Sequence, residues 1–90
     1  PEGRIPVEVY IQTFNPDSIR EAVLNEIQRS GKVFFIHNRI EDIFETAEIL
    51  KDLIPEANIA VTHGRMNEKT LEKTLKEFID GEVNLLVTTA

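Results

Sequence analysis

Residues 32–39 read Lys32-Val33-Phe34-Phe35-Ile36-His37-Asn38-Arg39. Four large apolar residues in a row stop abruptly at three polar ones. A short unbroken run of this kind, preceded by Gly31, fits a strand buried on both faces, the pattern of a central strand in a parallel sheet. Working outward, Asn84–Thr88 holds a second unbroken run, Leu85-Leu86-Val87. Asn58–Thr62 is a shorter apolar run. Val7–Phe14 opens instead with the alternation Val7-Glu8-Val9-Tyr10-Ile11-Gln12, which suits a strand with one wet face near an edge.

The segments between these runs repeat with a helical period. In the first, Asn15 is placed to cap, Pro16 to take the first helical position and Asp17 to face the positive helix end. Ile19, Ala22, Val23 and Ile27 form its apolar stripe, and Gly31 is expected to end it. The second sets Ile40, Ile43, Phe44, Ala47, Leu50 and Ile54 on one face and stops at Pro55. The third is capped by Asn67, buries Leu71, Leu75, Phe78 and Ile79, and ends at Gly81. The resulting order, β-α-β-α-β-α-β, implies a three-layer α/β/α fold: a parallel sheet with right-handed crossovers and helices on its faces. The second strand is expected between the third and fourth, with the first further out. Residues 1–6 read as an extended lead-in to a domain over 7–90. The chain stops at Ala90, directly after a strand that reads as fully buried. That predicts a truncated domain with a raw apolar face, hidden by a dimer or by strand exchange.

At 90 residues the chain is one domain at most, and a chain this short buries only about 60–65% of its unfolded surface. With 41% hydrophobic and 29% charged residues it falls in the range of ordinary globular proteins rather than disordered tails. No run approaches the length of a membrane span, and no secretory signal is present. The absence of Cys removes disulfides, thiolate metal sites and a thiol nucleophile, and suits a reducing, cytoplasmic setting. A net charge of −6 argues against a polyanion binder that works by bulk charge, though not against local phosphate contacts. Two histidines, His37 and His63, without His-x-x-x-His spacing, give no reason to expect a metal.

In an open parallel sheet, ligands bind beyond the carboxyl ends of the strands. Those ends carry His37-Asn38-Arg39, then Thr62-His63-Gly64-Arg65-Met66, then Thr88-Thr89. On one edge this supplies two arginines for charged forks, Asn38 and threonine hydroxyls for neutral hydrogen bonds, and Gly64 for close backbone approach. Each is suited to phosphate, and Asn67 starts a helix just behind. Each also has a plainer reading: β-propensity for the threonines, a positive φ for Gly64, a helix cap for Asn38, solvation for Arg39.

Catalysis finds less support. Neither His37 nor His63 has a nucleophile within its motif, and His63 equally suits a backbone contact in a tight loop. Glu41, Asp42, Glu45 and Glu48 read as the solvated face of the second helix. Lys69, Lys73 and Lys76, interleaved with Glu68, Glu72 and Glu77, read as helix-stabilising pairs. No Gly-x-x-x-x-Gly-Lys-Ser/Thr and no Gly-x-Gly-x-x-Gly is present, so the chain is not expected to act as an NTPase, or as any enzyme, by itself.

Four blocks run in an order and at a spacing that match a known family: residues 1–10, Val33–Glu41, Ile59–Met66 and Gly81–Thr89. Together they resemble the second RecA-like motor domain of the bacterial transcription-repair coupling factors, superfamily 2 DNA translocases. The related branch-migration helicase RecG matches less well around His37-Asn38-Arg39. The resemblance covers essentially the whole chain. It implies that His37-Asn38-Arg39 is helicase motif IV and that Thr88-Thr89 opens motif V. It further implies that Asn38, Arg39, Gly64, Arg65, Thr88 and Thr89 touch the phosphates of duplex DNA. Arg65 stands where the family usually has Gln. The Gly and Asp expected after Thr89 and the arginine finger of motif VI are absent from this sequence. ATP and Mg²⁺ are therefore implied for an intact parent motor and no cofactor for this piece. The parent's partners would be the first RecA-like lobe and, through other domains, RNA polymerase and excision-repair proteins. The competing reading is a small flavodoxin-like protein-binding module without catalysis, engaging a partner through a helix face such as Glu41–Asp52.

Overall fold

Asn15 and Asn67 start two of the helices as their chemistry dictates. In the computed structural model, which describes residues 7–11 and 15–89, the Asn15 side chain accepts from the backbone N–H of Ser18 at 3.1 Å. The Asn67 side chain accepts from that of Thr70 at 2.9 Å. The elements run β1 (Val7–Ile11), α1 (Pro16–Gln28), β2 (Lys32–Ile36), a 3₁₀ turn (Ile40–Asp42) continuing into α2 (Ile43–Leu53), β3 (Ile59–Thr62), α3 (Glu68–Ile79) and β4 (Leu85–Thr88). The expected lead-in over residues 1–6, and the end of the first run over 12–14, lie outside the described residues.

All pairings are parallel, and the sheet order is β1-β2-β4-β3. The alternating strand β1 does take an edge. The expected order of the others is corrected: β4, not β2, lies beside β3. The reason is in the side chains. Leu85, Leu86 and Val87 are at most 1% exposed, and burial that complete needs neighbours on both edges and layers on both faces. In β3 only Thr62 is buried, as an edge strand allows.

Strand alternation divides the core. Val33, Phe35, Leu85 and Val87 face α1 and α2, meeting Ile19, Val23, Ile43, Ala47, Leu50 and Ile54. Phe34, Ala60 and Leu86 face α3, meeting Leu75, Phe78 and Val83. Register aligns these sets, with Val33 and Ile59 both opposite Leu85, and Phe35 and Val61 both opposite Val87. Phe34 and Phe78 pack at 4.8 Å between ring centroids, tilted by 50°. Burying side chains such as Leu85 and Leu86 stabilises by about 2 kcal/mol each. The strand expected to leave an apolar face bare is thus covered on both faces within the chain.

Three local expectations are also corrected. Phe44 and Ile79, assigned to the core, are 57% and 61% exposed, because each lies at the margin of a narrow buried stripe. Gly31 does not supply the left-handed residue that ends α1; Ser30 does, at φ 59°. Gly31 N–H then reaches back to Glu26 O at 2.7 Å and Ser30 N–H to Ile27 O at 3.0 Å, the paired bonds of a Schellman motif. At the end of α3 the same motif uses Gly81, as expected, at φ 89°. Of the lysines on α3, Lys76 pairs with Asp80 at 2.8 Å rather than with an interleaved glutamate.

A fork joins the first two helices. Arg20 donates to both oxygens of Glu56, at 2.9 and 2.8 Å, and to Leu53 O at 2.8 Å. The Glu56 carboxyl is held below its ordinary value, chiefly by that bond. Glu26 breaks the apolar stripe of α1: it is buried, Oε2 lies 3.5 Å from Arg29 and Oε1 has no hydrogen-bond partner.

Candidate nucleic-acid interface

Because β2, β4 and β3 are adjacent and parallel, the loops that leave their carboxyl ends are adjacent too. Ile36, Thr88 and Thr62 form one row across the sheet. His37 N–H continues the ladder by donating to Thr88 O at 2.8 Å. The loop carrying Asn38 and Arg39 and the loop carrying Gly64 and Arg65 therefore flank Thr88-Thr89. The parallel strands bring all six candidate residues to one edge, as expected, and the sheet order that differs from expectation sets the threonines in the middle.

The loop after β2 is shaped by Asp42. Its Oδ1 lies 2.5 Å from His37 Nε2 and its Oδ2 lies 3.6 Å from Arg39 Nε. The hydrogen bond from His37, and more weakly the charges of His37 and Arg39, hold the Asp42 carboxyl below its ordinary value. An ionised carboxylate can only accept, so His37 donates through Nε2. Neither N-cap position in this stretch belongs to Asn38: Arg39 precedes the 3₁₀ turn and Asp42 precedes α2. Asn38 and Arg39 are both exposed.

The loop after β3 is a tight turn built on His63. Met66 N–H donates to His63 O at 3.2 Å, and His63 N–H donates to Met66 Sδ at 3.3 Å. Arg65 N–H donates to His63 Nδ1 at 3.1 Å. Nδ1 is thus an acceptor, which gives this ring a structural role in the turn. Phe44 packs edge-on against the ring, 5.5 Å between centroids at 86°. Gly64 does not have a positive φ, and a Cβ built on it would meet nothing within 4 Å. The turn therefore does not itself require glycine there. Arg65 is exposed, and among the described residues no carboxylate pairs with it.

Between the loops, the buried hydroxyl of Thr62 donates to Thr88 Oγ1 at 2.8 Å, and that hydroxyl donates to Thr89 O at 3.2 Å. Asp42 and Phe44 are residues that the sequence reading does not assign to the site. The reading of the Thr62 hydroxyl as a phosphate partner is corrected: the side chain is buried and donates to Thr88. Asp42 reads in sequence as a solvated helix carboxylate, and its links to the loop appear only once the 3₁₀ turn folds it back.

Residues 15–90 match the helicase conserved C-terminal domain family. The chain is 48% identical over 89 residues to the transcription-repair-coupling factor of Staphylococcus haemolyticus, an alignment covering 99% of this chain and 8% of that relative. The transcription-repair-coupling factors of Staphylococcus epidermidis and Staphylococcus aureus are each 46% identical over 89 residues, with the same coverage. The chain therefore spans about 8% of the length of the curated relatives it matches.

Proposed function

The chain belongs to the helicase conserved C-terminal domain family, and on that premise we propose that its strand-end edge grips the phosphates of duplex DNA as part of the second lobe of a translocating motor. The observation that carries this reading is the flanking of Thr88-Thr89 by the Arg39 and Arg65 loops along one edge. Arg39 and Arg65 supply guanidinium charge, Asn38 a neutral hydrogen bond, and Gly64 and the half-buried Thr89 backbone N–H groups, while the Thr88 hydroxyl must turn away from Thr89 O to donate to a phosphate. None of these donors reads a base edge, so the grip is blind to sequence. A net charge of −6 keeps the rest of the surface from holding DNA, which suits a motor that must let go as well as hold.

In this reading, residues 7–90 are the first part of that lobe. Opening and closing of the cleft against the first RecA-like lobe moves the two grips along DNA in turn. The residues here bind, orient and release phosphate. They do not suit a nucleotide site: the turns after β2 and β3 hold no lysine and only Gly64 as glycine, and no phosphate-cradling loop occurs in the chain. ATP hydrolysis with Mg²⁺ is accordingly assigned to the parent motor. So are a part in coupling transcription to repair and any contact with RNA polymerase or excision-repair proteins.

The test is a salt series of DNA binding for Arg39→Ala and Arg65→Ala. Each variant should weaken binding to any duplex alike and lower the slope of log affinity against log salt by about one unit. Unchanged slopes in both variants would overturn the phosphate role and favour a protein-binding helix face.

A further inference from the structure

Asp42 occupies the N-cap position of α2 and makes no capping hydrogen bond. An aspartate there normally accepts from the first helical N–H groups, for about 1 kcal/mol of stabilisation. This one is turned back toward the strand-end loop. Its Oδ1 is held by His37, whose side chain is 21% exposed and whose backbone is bonded to the end of β4. Its Oδ2 is left facing the Arg39 guanidinium at 3.6 Å. Among the described residues Arg39 pairs with no other carboxylate, and its side chain is 71% exposed.

A guanidinium that draws a carboxylate oxygen also draws phosphate oxygens; here Asp42 offers Arg39 only Oδ2, at 3.6 Å from Nε, whereas a phosphate can offer the fork two oxygens at once. We propose that Asp42 is a built-in phosphate surrogate: its carboxylate occupies Arg39 while the edge is empty and competes with a DNA phosphate for it, so the domain limits its own grip. This rests on the reading that Arg39 contacts phosphate. His37 makes the competition effective by fixing the carboxylate in place. Arg39 then returns to a defined position each time DNA leaves. For a grip that must alternate between holding and release, a moderate internal competitor shortens the hold without removing the contact.

The experiment is a double-mutant cycle on DNA affinity, read by fluorescence anisotropy with a labelled mixed-sequence duplex across a salt series. Asp42→Asn retains an oxygen that accepts from His37, and removes only the charge. It should tighten binding two- to fivefold, the range an exposed ion pair can weigh, and steepen the salt slope by up to about one unit. In the Arg39→Ala background the same substitution should have no effect. If Asp42→Asn tightens binding equally in that background, it acts only by general charge, and the surrogate role fails while the phosphate reading stands. No tightening in either background overturns the proposal in the same way. If Arg39→Ala alone leaves the slope unchanged, Arg39 is not on DNA and the surrogate role fails with it, while the Arg65→Ala slope still decides the phosphate reading of the edge.

Discussion

The hydroxyl of Thr62 donates to the hydroxyl of Thr88 at 2.8 Å, so β3 is tied to β4 by side chains as well as by backbone at the edge where the candidate interface lies. Thr62 is 3% exposed and cannot itself reach DNA. It acts by orienting Thr88. Replacing it by Val keeps the shape and removes the donor. Thr62→Val should cost about 1 kcal/mol of stability, the worth of one such bond. It should also weaken DNA binding severalfold. In a Thr88→Val background that second effect should vanish; if it persists, Thr62 serves packing only.

Gly64 supplies a different kind of check, because the fold leaves room for a side chain there. Gly64→Ala should leave the melting temperature unchanged or slightly higher, since Ala restricts the unfolded chain. DNA affinity should nevertheless fall about tenfold, as when a hydrogen bond to a charged group is lost. Equal affinity for the two proteins would mean that no phosphate approaches this backbone.

Ser30 carries a conformation that glycine adopts freely. A side chain in the left-handed region costs about 1 kcal/mol. Ser30→Gly should therefore stabilise the protein by about 0.5–1 kcal/mol, raising the melting temperature by a few degrees. Gly81→Ala, at φ 89°, should destabilise it by a similar amount. Thermal melts of the two variants moving in the same direction would contradict this account of the helix ends.

Acid titration tests the two depressed carboxyls. Glu56 is held below its ordinary value of 4.5 chiefly by the bond from Arg20, and Asp42 below 3.8 chiefly by the bond from His37. A carboxyl with a lowered folded value contributes stability that is complete above its unfolded value and is lost as pH falls through the folded one. Melting temperature should therefore decline on acidification from about pH 5 downward. Arg20→Ala should flatten that decline by returning Glu56 to its ordinary range. An identical acid profile in the variant would show the fork to be too exposed to matter.

Much of this molecule is legible without coordinates, and the failures share a cause. Asn15, Asn67 and Gly81 act on bonds within a few residues, so local chemistry places them correctly. The runs Val33–Ile36 and Leu85–Val87 announce burial because their composition cannot be wet. The position of β4 beside β3 is different, since it depends on which buried strand needs two neighbours and no short window contains that comparison. For Phe44 and Ile79 the sequence misleads, because periodicity gives the direction of an apolar stripe but not its width. For the site, the three loops and their arginines follow from strand ends alone. Asp42 and Thr62 do not, since one depends on a 3₁₀ turn and the other on pairing between strands 26 positions apart.

The sheet order also governs how the domain can assemble. In chain order β4 comes after the other three strands, yet in space it stands between β2 and β3. Until residues 85–88 have left the ribosome, β3 has no strand to pair with, and β2 exposes an edge lined by Val33, Phe34 and Phe35. Insertion of β4 between them then joins β2 to β3. Because that step depends on contacts distant in sequence, it should be slow relative to helix formation and leave a window open to misassembly. The same strand carries Thr88, so the edge proposed to meet phosphate comes into existence only once β4 stands between β2 and β3.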